Sequence, residues 1–369
     1  MLTEARVSLP RHLTASLVVL MLALNLSGCG AGYVLQAAGG QWQVVRQRRP
    51  VNRVIADPAT SAPVRSQLEM AREARDFASR ELGLPDNSSY RSYAALGRDY
   101  VVWNVVAAPE FSVDPLRWCF PVAGCVAYRG YFREAAARRY AAKLAARGND
   151  VLVAGVEAYS TLGRFSDPIL DTMLSDDELD LAGTIFHELA HQLIYVKGDS
   201  DFNEAFAMSV EQEGVARWLA AHGRTAELAG YRERRLGQEQ VVSRLAAGRD
   251  QLAALYAQDL PAPQMRERKQ ALIGQVVASI GSYEQATGLR SGYDSWIAQG
   301  LNNAHLASVA TYFDCVPAFQ QILTAENGNL TLFYARVREL ARAPALVRQA
   351  LCRQTSSAGA TLASAGEGP

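Results

Sequence analysis

Residues able to do chemistry are concentrated in Phe186-His187-Glu188-Leu189-Ala190-His191, an H-E-x-x-H. Residues four apart on a helix lie one above the other, with Cβ atoms roughly 5–6 Å apart, so His187 and His191 offer two imidazoles to one ion. Glu188 sits one position round the helix, where a carboxylate reaches a water activated by the metal without being a ligand itself. That is a general base beside half a zinc site. A hydrolytic zinc takes three protein ligands and keeps one position open, and Asn203-Glu204-Ala205-Phe206-Ala207 supplies the third ligand in Glu204. Glu211 shares a helix face with Glu204, but about 10 Å of rise separates them, so only one of the two ligates. Glu204 is preferred, because the short connection over 197–202 folds it back onto the histidines. Glu211 is then an acceptor for a histidine N–H or an ordinary helix carboxylate. The competing reading, two surface histidines binding nothing, is weakened by the scarcity of histidine, five in 369 residues.

The elements that must hold these groups are marked in the surrounding pattern. Ser175-Asp176-Asp177-Glu178 fits a capping box, so a helix is expected from about Asp176, with Leu179, Ala182, Phe186, Leu189 and Leu193 as its buried stripe and Gly198 past its end. A second helix is expected from Ser200 or Asp201 to about His222-Gly223. Upstream, Val151 to Tyr159 has the composition of a strand, and strand, loop, H-E-x-x-H helix is an order that sets a sheet edge beside a metal site. An extended peptide adds to such an edge through main-chain hydrogen bonds. Glu157 and Tyr159 are its substrate-facing candidates. Further helices are expected from Ser61 to about Leu82, from Tyr131 or Phe132 to about Gly148, and repeatedly between Arg224 and Leu351, with Pro261 and Pro263 separating two of them. Tyr90 to Phe111 reads as one or two strands. An oxyanion donor is commonly a His or Tyr from a distant segment, which nominates His305 and Tyr312, with Tyr283 behind them.

Composition bounds the partners. With 37 basic and 37 acidic side chains and 49% hydrophobic residues, the chain is an ordinary globular one with no global field for nucleic acid. Arg6, Arg11 and His12 precede an apolar run from Leu13 to Leu26, short for a membrane span and right for a secretory signal. Removing residues 1–28 takes away Glu4, Arg6 and Arg11 and leaves 35 basic and 36 acidic side chains. Residues 29–60 read as a tether with one short ordered element, and its arginines Arg46, Arg48, Arg49 and Arg53 as a solvated face, contact with lipid phosphates being the alternative. Besides Cys29, four cysteines remain, which permit three connectivities in an oxidising compartment. Local pairing of Cys119 with Cys125 and of Cys315 with Cys352 is expected, four free buried thiols being the alternative.

Two resemblances follow from these residues. Leu26-Ser27-Gly28-Cys29 looks like a bacterial lipobox, which implies cleavage before Cys29, lipid on that residue and, with Gly30 next, an outer-membrane position facing the periplasm. His187-Glu188-Leu189-Ala190-His191 with Asn203-Glu204-Ala205-Phe206-Ala207 resembles the H-E-x-x-H and N-E-x-x-A signatures of gluzincins, the thermolysin-like and alanyl-aminopeptidase-like zinc enzymes. Together with Ser89-Tyr90-Arg91, Trp103-Asn104-Val105, Trp118-Cys119-Phe120-Pro121 and Ala158-Tyr159-Ser160-Thr161-Leu162-Gly163, these motifs resemble the bacterial putative-aminopeptidase lipoprotein family. The resemblance covers most of the mature chain. It implies one Zn2+ held by His187, His191 and Glu204, Glu188 as base, and peptides as substrates. Only twelve residues separate His191 from Glu204, fewer than in well-known gluzincins, and Gly155-Val156-Glu157 departs from their G-x-M-E-N motif, so Glu157 as the amine anchor is the weaker transfer.

The expectation is an α+β, mainly helical protein. It comprises a signal peptide (1–28), a lipidated tether (29–60), a zincin-like core with a small sheet and active-site helices (61–223), a helical C-terminal region (224–354) and a disordered tail (355–369). The function expected is a zinc-dependent envelope metallopeptidase, with aminopeptidase action first. An envelope endopeptidase or a non-catalytic, lipid-anchored binding or chaperone-like protein are the alternatives.

Overall fold

The computed structural model describes residues 31–120, 124–158, 160–174, 177–289, 293–309 and 315–352. The signal peptide, Cys29, Tyr159, Ser175, Asp176, Tyr312 and the tail 355–369 lie outside the described residues. Two compact units divide the chain. Residues up to Arg46 form the first, represented by helix α1 (Ala31–Arg46), and Gln47–Pro369 forms the second.

The second unit opens with β1 (Arg49–Pro50), α2 (Val51–Ala56) and α3 (Ala62–Arg80). Ser61 and Pro63 start α3, Pro63 with its φ preset for the first turn, and Leu68, Ala71, Ala74 and Ala78 give it one buried face. Three short strands follow β2 (Ser92–Ala94) and β3 (Val102–Pro109), namely β4 (Trp118–Phe120), β5 (Gly124–Val126) and β6 (Arg129–Tyr131). Cys119 and Cys125 face each other across the β4–β5 hairpin and are disulfide-bonded. The alanine-rich helix α4 spans Glu134–Ala145, starting later than its sequence implies because Arg129–Tyr131 pairs with β3 as a strand. It leads to β7 (Asn149–Val156). The main sheet is antiparallel in the order β6-β3-β7, with eight register pairs from Val102↔Val156 to Pro109↔Asn149. A smaller sheet joins β1, β2 and β8 (Ile169–Leu170).

Two helices then cross each other and carry the candidate chemistry: α5 (Glu178–Leu193) and α6 (Ser200–Ala221). Gly214 lets them approach. A Cβ there would meet the Phe186 ring at 2.7 Å, closer than van der Waals contact allows. Phe77, Phe186 and Trp218 interlock α3, α5 and α6 in tilted and edge-on pairs. The C-terminal region is helical throughout its described part: α7 (Leu228–Tyr256), α8 (Ala262–Thr287), α9 (Asp294–Gln299), α10 (Asn303–Val309), α11 (Val316–Ala325) and α12 (Leu330–Arg342). It is no separate domain. Helix α10 packs on β3 and β7, Phe202 and Phe206 of α6 meet Phe319 of α11, and Cys315 is bonded to Cys352.

Candidate metal centre

Both ends of α5 differ from the capping-box expectation. Asp177 is the cap, its carboxylate accepting from Leu179 N at 2.9 Å, so the helix begins at Glu178 with acidic residues in its first turn, where the dipole favours them. Its other end comes at Leu193, five residues before Gly198, and Ile194 is already extended. The cause is Asn203. Its side chain accepts from Val196 N at 2.7 Å and donates to Val196 O at 2.8 Å, a pair of bonds that holds 194–199 as an open turn in place of another helical turn. That turn brings the start of α6, capped by Asp199, back against the last turn of α5.

The result is a compact group of His187, His191 and Glu204, whose potential ligand atoms all lie within 4.8 Å of one another. Glu204 reaches the Nε2 of both histidines, at 3.3 Å from His187 and 3.7 Å from His191. Glu211 takes the other side of His187, with Oε2 at 3.0 Å from Nδ1. The two glutamates seven residues apart thus occupy different positions: Glu204 stands among the Nε2 atoms and Glu211 behind one ring. Behind Glu211 stand Gly183, where a Cβ would meet its Cγ at 3.2 Å, and Arg235 of α7, 3.6 Å from its Oε1. The buried Tyr231 phenol is raised first by burial and then by the charge of that carboxylate.

Electrostatics in this group would suit a cation. Burial pulls the His187 imidazole down, yet the hydrogen bonds to Glu204 and Glu211 overcome it and lift the group to about 10. Burial pushes Glu204 up, and its bonds to His187 and His191 hold it down to about 2. Glu188 is raised, first by burial, then by Glu204 and Asp167, while the two histidines oppose the shift. A potential negative enough to keep a proton on His187 also favours a divalent ion. The donor set fits zinc: two imidazoles and a carboxylate, with the His187 ring fixed through Nδ1 so that Nε2 is left for the ligand. His191 Nδ1 is buried without a partner.

Other candidates fall elsewhere. Glu157 follows the end of β7, and its carboxyl is raised by burial and by Asp180 of α5. Its main-chain oxygen accepts from Thr172 Oγ1. His305 is not among the histidine and glutamate side chains. It is 3% exposed on α10, with Nδ1 on Asn302 and its ring edge-on to Trp296, and burial takes it down to about 4. Its neighbours Ala304 and Leu306 are buried, so the helix turns this whole segment inward.

Two tyrosines not among the sequence's candidate site residues stand near the group, one of them in the Ser89-Tyr90-Arg91 motif. Tyr195 is 48% exposed, its ring centroid 6.4 Å from that of His191, and its phenol is raised by burial and by Glu204. The spacing 187, 191, 195 was the signal that could have found it. Tyr90 is 2% exposed, with φ +60 and a hydroxyl without a partner, and burial followed by Glu188 and Asp167 raises its phenol. A left-handed backbone is unusual for a bulky residue and is maintained here by its surroundings. Arg75, fully buried, donates to the carbonyls of Pro85, Asn87 and Ser89, and Asn87 and Ser89 in turn bond Gln192, next to His191. No sequence signal marks that conformation.

The sheet edge is also defined. Among the described residues β7 pairs only with β3. Ala107 O, opposite Val151, bonds Leu116 N, so this register pair points its polar groups outward, and Val151 O meets Asn302 Nδ2 at 3.2 Å. With alternation, Val153 and Gly155 present their main-chain groups to the open side.

A family model described as putative aminopeptidase matches residues 32–351. The chain belongs to the putative aminopeptidase family. No curated protein and no solved structure matches it.

Proposed function

We propose that this putative aminopeptidase family member is a zinc-dependent, gluzincin-like metallopeptidase with a zincin-like core. In this reading it is anchored by lipid on Cys29 to the outer membrane, facing the periplasm, and trims peptides from their amino ends. The carrying observation is the placement of Glu204 within 3.3 and 3.7 Å of the two Nε2 atoms, on the helix that follows H-E-x-x-H.

His187, His191 and Glu204 would hold the ion. Zinc bound there supplies Lewis-acid polarisation of the scissile carbonyl and water of lowered pKa. Glu188 takes the proton from the attacking water and passes it to the leaving amine, a role that its burial serves by making its carboxylate more basic than a surface one. Glu211 keeps His187 in one orientation. Tyr195, exposed beside His191 and Glu204, is the donor for the oxyanion in this reading, in place of His305. Val153 and Gly155 offer an extended peptide two residues of edge, bounded by the Asn302 contact to Val151 and the Thr172 contact to Glu157. Glu157 lies where the edge ends, and the free amine of a substrate is its natural counter-charge.

The test is metal content of the purified protein, then hydrolysis of matched peptides with free and acetylated amino ends. One zinc per chain and a preference for free amines are expected. A chain that binds no divalent metal, or a Glu188→Gln variant that hydrolyses at the wild-type rate, overturns the proposal. Equal rates on blocked peptides make it an endopeptidase.

A further inference from the structure

Helix α1 exposes the wrong face for a water-soluble element. Val34, Leu35 and Trp42 are 57, 72 and 62% exposed, three large apolar side chains within two turns. At 100° per residue they fall on one arc with Ala38 and Gly39, also exposed, and a Cβ added at Gly39 would meet nothing within 4 Å. The only charged residue of the sixteen is Arg46, at the end of the helix and exposed. Elsewhere in the described chain large exposed apolar residues stand singly or in adjacent pairs, the ordinary pattern.

Charge along the chain is as one-sided as the helix face. No Asp or Glu occurs between Ala5 and Ala56, in a protein with 37 acidic residues. From Cys29 to Ala56 the only ionisable side chains besides cysteine and tyrosine are Arg46, Arg48, Arg49 and Arg53. An exposed apolar arc closed by Arg46, on a helix without an acidic side chain, matches the two layers of an anionic bilayer surface, acyl chains beneath phosphates, whereas Arg49 further on is already paired with Asp57. The helix is too short and too mixed to cross a membrane, and no helix among the described residues is long and apolar enough to do so.

We infer that α1 lies flat in the lipid–water interface, with Leu35 and Trp42 at the acyl boundary and Arg46 near anionic headgroups. The inference rests on the lipid anchor proposed at Cys29, two residues before the helix, which would place it at the surface at the outset. Lipid on both the thiol and the amine of Cys29 would already anchor the chain stably, so the helix adds a second, oriented contact with the same surface.

The test uses the full chain expressed with its own signal sequence, extracted in detergent and reconstituted into phosphatidylethanolamine–phosphatidylglycerol vesicles with brominated acyl chains. Intact mass reads lipidation separately from insertion. Bromine quenching of tryptophan fluorescence is expected in the wild-type protein and is lost in Trp42→Phe, which leaves the other four tryptophans in place. Leu35→Glu reduces it, and hydrolysis of a soluble peptide is unchanged in both variants. Equal quenching in wild type and Trp42→Phe overturns the inference. So does a shielded but unquenched Trp42 with self-association of the chain, which makes the face a contact between copies. A mass showing no lipid sinks the anchor alone, because Trp42 quenching still reads where the helix lies.

Discussion

Two of the clusters in which the described residues bury charge are built on opposite rules. In the first, Lys269 of α8 is 5% exposed and donates to Asp150 Oδ2 at 2.6 Å and to Glu110 O at 2.9 Å. Asn303 fills the remaining valences. Its main-chain N–H meets Asp150, its amide donates to the carbonyls of Pro109 and Glu110, and Tyr256 donates to its oxygen at 2.8 Å. Each ion has its opposite and each polar atom a partner, which is what a buried pair needs to hold a fold. In the second, Glu188, Glu204 and Glu211 crowd two histidines, and one imidazole nitrogen has no partner. The proton on His187 and the Arg235 guanidinium offset only part of the charge that these three carboxylates would carry. Satisfied charge is scaffold, and unsatisfied charge is site.

Removing one member of each cluster separates them. Glu188→Gln is expected to lower hydrolysis by about 10²–10⁴-fold while zinc stays bound. The apo protein should not denature earlier, because burial already works against the ionised carboxylate. A variant that unfolds would make Glu188 part of the scaffold. Lys269→Met does the reverse: it strands Asp150, at an expected cost of about 3–5 kcal/mol in urea denaturation. A loss under about 1 kcal/mol, the scale of a surface pair, would remove the distinction. Asp150→Asn in the Lys269→Met background should recover part of the loss, since no buried charge is then left alone.

How visible these clusters were in the sequence follows from how local they are. His187, Glu188 and His191 form one helical turn, and Glu204 stands in the first turns of the next helix, so spacing was enough. The lysine pair gave no such signal, its members being 119 residues apart and joined only when α8 packs over the start of β7. The surroundings of position 305 were hidden for a related reason: a lone histidine says nothing about whether its helix turns inward, and α10 does. The early end of α5 was hidden because one side chain, that of Asn203, sets it through two bonds to Val196. Helix existence was legible throughout the C-terminal region, since Ala- and Leu-rich stretches between Pro261, Pro263 and the glycines leave little alternative. The left-handed backbone of Tyr90 depends on Arg75 and Asp167 and could not be read locally.

Smaller effects grade the groups inside the site. Glu204→Gln is expected to weaken zinc binding more than Glu211→Gln, and the latter by about 10–100-fold, the scale of an outer carboxylate behind a ligating histidine. Competition against a chelator of known affinity measures both. The opposite order would exchange the two carboxylates' roles.

The smallest effect is a proton. His187 is lifted to about 10 by Glu204 and Glu211 against its burial, so between pH 7 and 9 the metal-free imidazole carries a proton that a ligating nitrogen cannot keep. Metal uptake in that window therefore expels one proton, and apparent affinity rises with pH by about tenfold per unit until pH passes the imidazole's own value. Glu204, held down to about 2, is already ionised there and contributes nothing to the slope. Titration calorimetry at pH 8 in two buffers of different ionisation enthalpy reads the proton directly. In Glu211→Gln the imidazole loses one of the two carboxylates that lift it, so the proton released per zinc should fall even where binding persists. Zero release from the wild type would mean that His187 is neutral before the ion arrives and that the crowding of carboxylates around it is already compensated.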